Sequence, residues 1–209
     1  DLPFAVRQVK VPEAVIVKID DAAYLRLRES VVIARRQHIA LLRRLEKAHA
    51  RLVFLDMAFA SDSGDSSVDQ QLAVQIRRMT NVVIGAIAES GSRDTGEVTT
   101  GGALPFPLLR SNNVAWGYLD VKRDGDGTIR RLPGALSTQG PTNFTASWTA
   151  AALLAKVLGG VELERWLNYY GPPTLVFEAR PYLDALDPER LADSFFSNKL
   201  VFVGAYKSG

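Results

Sequence analysis

Cysteine is absent from this 209-residue sequence, which excludes disulfides, thiolate catalysis and cysteine-ligated zinc or iron–sulfur sites in one step. The absence leaves the compartment open, since an extracytoplasmic address and the cytoplasm are both compatible with it. Histidine occurs only at His38 and His49, about three helical turns apart, too far for both to ligate one metal from the same helix. Excess charge of either sign is also missing: 25 Lys+Arg against 23 Asp+Glu give a net +2, which makes no electrostatic case for nucleic acid. The longest alkyl run, Ala150–Ala155, falls far short of the ~18–20 residues of a membrane span. No glycine-rich dinucleotide fingerprint follows the first strand, and the phosphate loop GxxxxGK[ST] and the nucleophile elbow GxSxG are lacking. The standard cofactor enzymes therefore lose their support, and no cofactor is expected. The sequence starts at Asp1 without an initiator Met or signal peptide and stops at Gly209, so it reads as a segment of a longer protein.

What is present is the ordinary balance of a globular domain, 47% hydrophobic and 23% charged residues, with enough length for a substantial core. Ala14–Ile19 is a β-branched run ending in Asp20-Asp21, and Arg51–Asp56 repeats that form after a helical segment. The helix between them spans about Ala34 to Ala50, with Ala34, His38, Leu41, Leu42, Leu45 and Ala48 on one face. A second crossover follows through the polar loop Ser61–Ser67, the amphipathic stretch Val68–Met79 and the strand Asn81–Ala86. Strands linked in this way imply an α/β fold: a mostly parallel central sheet with helices on both faces. Residues 87–113 read as a long loop, exposed over Ser90–Gly102. Val114–Val121 and Ile129–Leu132 are expected to pair as an antiparallel β-hairpin around Asp124-Gly-Asp-Gly127, with Pro133 closing the return strand. Phe144–Leu158 predicts an apolar helix stopped by Gly159-Gly160, and Lys199–Gly204 a strand buried on both faces.

Five side chains are candidates for ligand binding: Asp20, Asp21, Arg35, His38 and Asp56. Asp20 and Asp56 end parallel strands, and ligand sites of open α/β sheets lie beyond the carboxyl ends of the strands. If the two strands are neighbours, the carboxylates meet and can hold a cation, orient a polar ligand or do acid/base work. The competing reading is helix capping. Arg35 suits an anionic ligand, a pairing with Asp20 or Asp56, or a surface salt bridge, and His38 is either a core histidine or a group that titrates near neutrality. On these grounds Asp20, Arg35, His38 and Asp56 are expected to gather at one sheet edge. Asp124-Gly-Asp-Gly127 resembles the opening of a calcium loop without its later ligands, so a tight turn with no metal is expected.

In order along the chain, these segments resemble one family, the second class of CHASE domains, which are sensory extracellular domains associated with cyclases and histidine kinases. The matching stretches are Val15–Asp21, Arg35-x-x-His38 with Leu41-Leu42, Leu55–Phe59, Trp116-Gly-Tyr118 with Asp124–Arg131 and Pro133, Asn168–Pro172 and Phe196–Ala205. Where the family often has Trp-Pro-Trp, this chain has Val31-Val-Ile33, so no ligand contact of those aromatics carries over. The resemblance implies a single extracytoplasmic sensor domain over 1–209, with a juxtamembrane lead-in at 1–13, a βαβαβ section at 14–86, the hairpin section at 114–138, and a helix and closing strand at 139–209. It implies a bacterial membrane receptor with this segment on the periplasmic or extracellular side. The partners it implies are flanking transmembrane helices of the same chain, a small-molecule or ionic ligand, and a cytoplasmic cyclase or kinase module; it allows a homodimer. The alternative from the residues alone is a periplasmic or soluble hydrolytic enzyme using Asp20 and Asp56 around a metal.

Overall fold

The alternation of β-branched and aromatic residues in the first, second and last strand-like runs gives each strand two apolar faces, so the sheet they form must be covered on both sides. A computed structural model describes residues 10–27, 34–87, 102–110, 113–121, 124–133, 135–136, 143–155, 164–167 and 173–206. Strand β1 (Ala14–Ile19) leads through helices α1 (Asp21–Leu27) and α2 (Arg35–Lys47) to β2 (Leu52–Ala58). Helix α3 (Ser66–Arg78) then leads to β3 (Val82–Ala86), and β4 (Ala115–Tyr118) follows. The middle of the chain holds short strands β5 (Arg131–Pro133), β6 (Ala135–Leu136) and β7 (Asn143–Phe144), helix α4 (Ala146–Ala155) and β8 (Glu164–Trp166). Helix α5 (Pro173–Val176), β9 (Glu178–Pro181), α6 (Tyr182–Leu186) and β10 (Leu200–Ala205) complete the described chain.

Among the described residues the central sheet has six strands in the order β4-β3-β2-β10-β1-β9, all parallel. The crossovers β1 to β2, β2 to β3 and β9 to β10 all step in the same direction across it. Their helices α2, α3 and α6 pack together in one core, as a common crossover hand requires. That core takes Val15, Val17 and Ile19 of β1, Val53 and Leu55 of β2, and Val201 and Val203 of β10. The expected face of α2 is the buried one: Ala34, His38, Leu41, Leu42, Leu45 and Ala48 are all buried. Each of its leucines contributes about 1.5–3 kcal/mol by leaving water. Helix α3 starts at Asp65, whose carboxylate accepts from the Ser67 and Val68 amides, satisfying donors at the helix start.

The opposite face of the sheet carries Leu52, Phe54, Val83, Leu200 and Phe202, packed with Ala146, Ala150, Leu153 and Leu154 of α4. Helix α4 makes its main contacts with β4, β3 and β2. The parallel sheet with helices on both faces is thus the architecture expected from the sequence.

The expected hairpin is not found among the described residues. Instead β4 joins the edge of the main sheet parallel to β3, and β5 pairs antiparallel with β8. The run 114–118 is apolar on both faces, so it gains more by entering the sheet, where Gly117 and Tyr118 are buried, than by pairing with a short return strand. The 87–113 segment is also not loop throughout. Ile87 and Ala103 exchange backbone hydrogen bonds, and Phe106 and Leu109 enter the main core around the 3₁₀ turn Pro107–Leu109. Residues 88–101, Val31–Ile33, Gly159-Gly160 and Asn168–Pro172 lie outside the described residues. Among the described residues no helix is long and apolar enough to cross a membrane.

Candidate functional site

A parallel sheet aligns the carboxyl ends of its strands at one edge, where side chains that break an apolar alternation collect beyond the packed core. Here Lys18 and Asp56 are those interruptions. In the strand register Lys18 of β1 stands opposite Gly204 of β10, and Gly204 stands opposite Asp56 of β2. The three form one row across the sheet, followed two residues back by the apolar row Ile16, Phe202 and Phe54. Alternation puts both rows on the face bearing α4. Together with Phe177, Val203, Ala205 and Tyr206 they line a cavity of about 320 Å³.

Gly204 makes the middle of the charged row a gap. A Cβ at this position would stand 3.1 Å from the Asp56 Cβ and 3.2 Å from its Oδ2, so any side chain here would press on the carboxylate. Asp56 is open to solvent through the cavity mouth, yet the protein crowding its inner side pushes its pKa above the ordinary carboxylate value by desolvation. Among the described residues it makes no hydrogen bond or ion pair. Lys18 directs its ammonium over the Tyr206 ring, 4.7 Å from the centroid, and likewise has no carboxylate partner among the described residues. Phe54 and Phe202 lean on each other with centroids 5.6 Å apart. The cavity thus has an apolar floor, an unpaired anion and an unpaired cation.

The other sequence-derived candidates lie elsewhere. Asp20 follows β1, and its Oδ1 accepts from the Ala23 amide at 3.0 Å, capping α1. Asp21 is exposed in the first turn of α1. Arg35 and His38 sit on α2, each 1% exposed, on the opposite side of the sheet from Asp56. Arg35 meets Asp69 of α3 at 2.5 Å, donates to the Ser61 carbonyl, and stacks 4.4 Å from the Phe106 centroid. Asp69 also accepts from Ser63 through its amide and hydroxyl. His38 Nδ1 lies 2.8 Å from the Tyr182 hydroxyl, edge-on to the Phe59 and Tyr182 rings. Burial pushes the Tyr182 phenol well up, so at neutral pH it keeps its proton.

The expected gathering of Asp20, Arg35, His38 and Asp56 at one sheet edge is therefore overturned. Strand β10 inserts between β1 and β2, and the sheet itself separates Asp56 from the α2 residues. The pairing of Asp20 with Asp56 around one metal, which the hydrolase alternative requires, goes with it. Among the described residues no cluster of three or more His, Asp or Glu is arranged to hold a metal ion.

Asp124-Gly-Asp-Gly127 does form a tight turn, with Gly127 at φ +80° and its amide bonded to the Asp124 carbonyl. Its carboxylates are engaged by arginines. Arg131 and Arg130 hold Asp124 below the usual carboxylate range, and Arg130 together with the Thr128 amide does the same for Asp126.

Lys18, Gly204 and the aromatics around them were missed as site residues. The signal was in plain view for two of them: a lone lysine inside Val15–Ile19, and a glycine inside the last apolar run. What gave them meaning was the strand order. In comparisons with known proteins, the model of the CHASE2 domain family matches residues 1–209, the whole chain. No curated protein and no solved structure matches it.

Proposed function

The chain belongs to the CHASE2 domain family, extracellular sensory domains of receptors, and from that premise we propose that it is the input segment of a bacterial membrane receptor. In this reading it lies on the periplasmic or extracellular side of the membrane. Transmembrane helices of the same chain flank it, and it regulates a cytoplasmic output module such as an adenylate or guanylate cyclase or a histidine kinase. It catalyses nothing itself. The reading is compatible with a homodimer, and it involves no nucleic acid.

The observation that carries the reading is the family match over all 209 residues. The cavity adds a place for a ligand to act. Its floor is shared by β1 and β10, the first and last strands among the described residues, which lie side by side in register. Tyr206, which follows β10, also lines the cavity. A ligand seated there contacts both strands at once, and it shifts the receptor between conformations in proportion to its differential affinity for them.

The test uses the full-length receptor. Asp56→Ala is expected to change how output responds to the extracytoplasmic medium while basal cyclase or kinase chemistry survives. Hydrolytic turnover by the purified 209-residue chain, abolished by Asp56→Asn without loss of folding, would overturn the reading.

A further inference from the structure

We propose, resting on the sensory reading above, that the cavity at the carboxyl ends of β1, β10 and β2 binds a small amphipathic zwitterion, of which an apolar amino acid is the simplest example. Its ammonium group meets Asp56, its anionic group meets Lys18, and its apolar body lies on Ile16, Phe54 and Phe202.

The charged row supplies the polar half of the argument. Lys18 and Asp56 are two strands apart, so their backbones are separated by about 10 Å, with only the hydrogen of Gly204 between them. They face one cavity without neutralising each other. A purely apolar ligand would strip water from both charges and return nothing. Among the described lining residues a phosphate-like anion would find one lysine, no arginine and a repelling carboxylate, and a divalent cation one carboxylate and a repelling ammonium. A molecule carrying both charges satisfies the two groups together.

The size and lining supply the other half. A cavity of about 320 Å³ is at the lower end of the range for small-molecule sites. The aromatic pair Phe54 and Phe202 gives the ligand's hydrocarbon part an apolar surface, and the Lys18 ammonium rests over the Tyr206 ring. Desolvation raises the pKa of Asp56, and an ammonium placed beside it would favour the ionised form.

Isothermal titration calorimetry on the 209-residue chain tests this with L-phenylalanine and L-leucine. The comparison compounds are 2-phenylethylamine and 3-phenylpropionate, which keep one charge each. At least one amino acid is expected to bind saturably, and both singly charged compounds about tenfold or more weakly. Asp56→Asn and Lys18→Gln are each expected to weaken the amino acid by about tenfold or more, with circular dichroism and thermal unfolding showing both variants folded. Failure of both amino acids to bind at millimolar concentration overturns the assignment, as does binding that either folded variant leaves unchanged. Binding of the expected pattern to which the intact receptor's output is indifferent would leave the zwitterion site standing and defeat the sensory reading. The reverse, no binding but an Asp56-dependent output, would do the opposite.

Discussion

At the scale of single residues, two buried or half-enclosed carboxylates behave in opposite ways. Asp56 has no partner among the described residues, and desolvation raises its pKa. The unfolded chain releases this proton near pH 4, whereas the folded chain holds it to higher pH. Between those two values each rise in pH favours the unfolded state, so the stability this group contributes is fully present in acid and is lost as pH rises through the folded value. Asp56→Asn is therefore expected to unfold at a higher temperature than the parent at neutral pH, with the advantage vanishing below about pH 4. Thermal unfolding of both proteins across that range measures it, and a pH-independent difference would refute the desolvated carboxyl. Asp69 is the contrary case, since its charge neutralises Arg35 inside the core. Asp69→Asn leaves a buried guanidinium without its anion and is expected to cost about 3–5 kcal/mol in denaturant unfolding, less if Arg35 is made apolar in the same protein. From the sequence, the capping reading was legible for Asp20, whereas the salt bridge of Arg35, expected at the surface or with Asp20 or Asp56, is instead buried against Asp69. The partners of Arg35 and His38 were not legible, because Asp69 and Tyr182 lie 34 and 144 residues from the groups they bond.

At the scale of elements, helix α2 and strand β1 show what periodicity alone can deliver. The six-residue stripe of α2 is buried as read, and β1 covers the residues expected of it. Arg44 shows the limit: it lies outside that stripe, yet it bonds Asp193 and the carbonyls of Ala185 and Leu191, tying α2 to the approach to β10. The hairpin was misread because short apolar runs do not announce their pairing partner, and Ala115–Tyr118 found β3. Gly117 explains how α4 closes over that strand. A Cβ there would fall 2.6 Å from the Ala146 amide nitrogen and 2.7 Å from its Cα, backbone atoms with no rotamer to give way. Gly117→Ala is expected to lower stability by about 1–3 kcal/mol through overpacking, read from the chemical denaturation midpoint; an unchanged midpoint would mean that the helix does not sit so close to the strand.

At the scale of the whole molecule, the strand order decides where the site is. A chain that placed β1 beside β2 would bring Asp20 towards Asp56; the last strand instead enters between them, carrying Gly204 into the row of Lys18 and Asp56. That insertion joins segments some 180 residues apart, and no local pattern reports it, which is why the fold class was legible and the site only in part. The same insertion places the cavity across β1 and β10. The most direct test is the output of the full-length receptor before and after L-phenylalanine is added outside the membrane, with the parent and Asp56→Asn measured side by side. The account predicts that the parent's output changes and that the variant keeps basal output and loses the change; equal output from both proteins, with and without the amino acid, would contradict it.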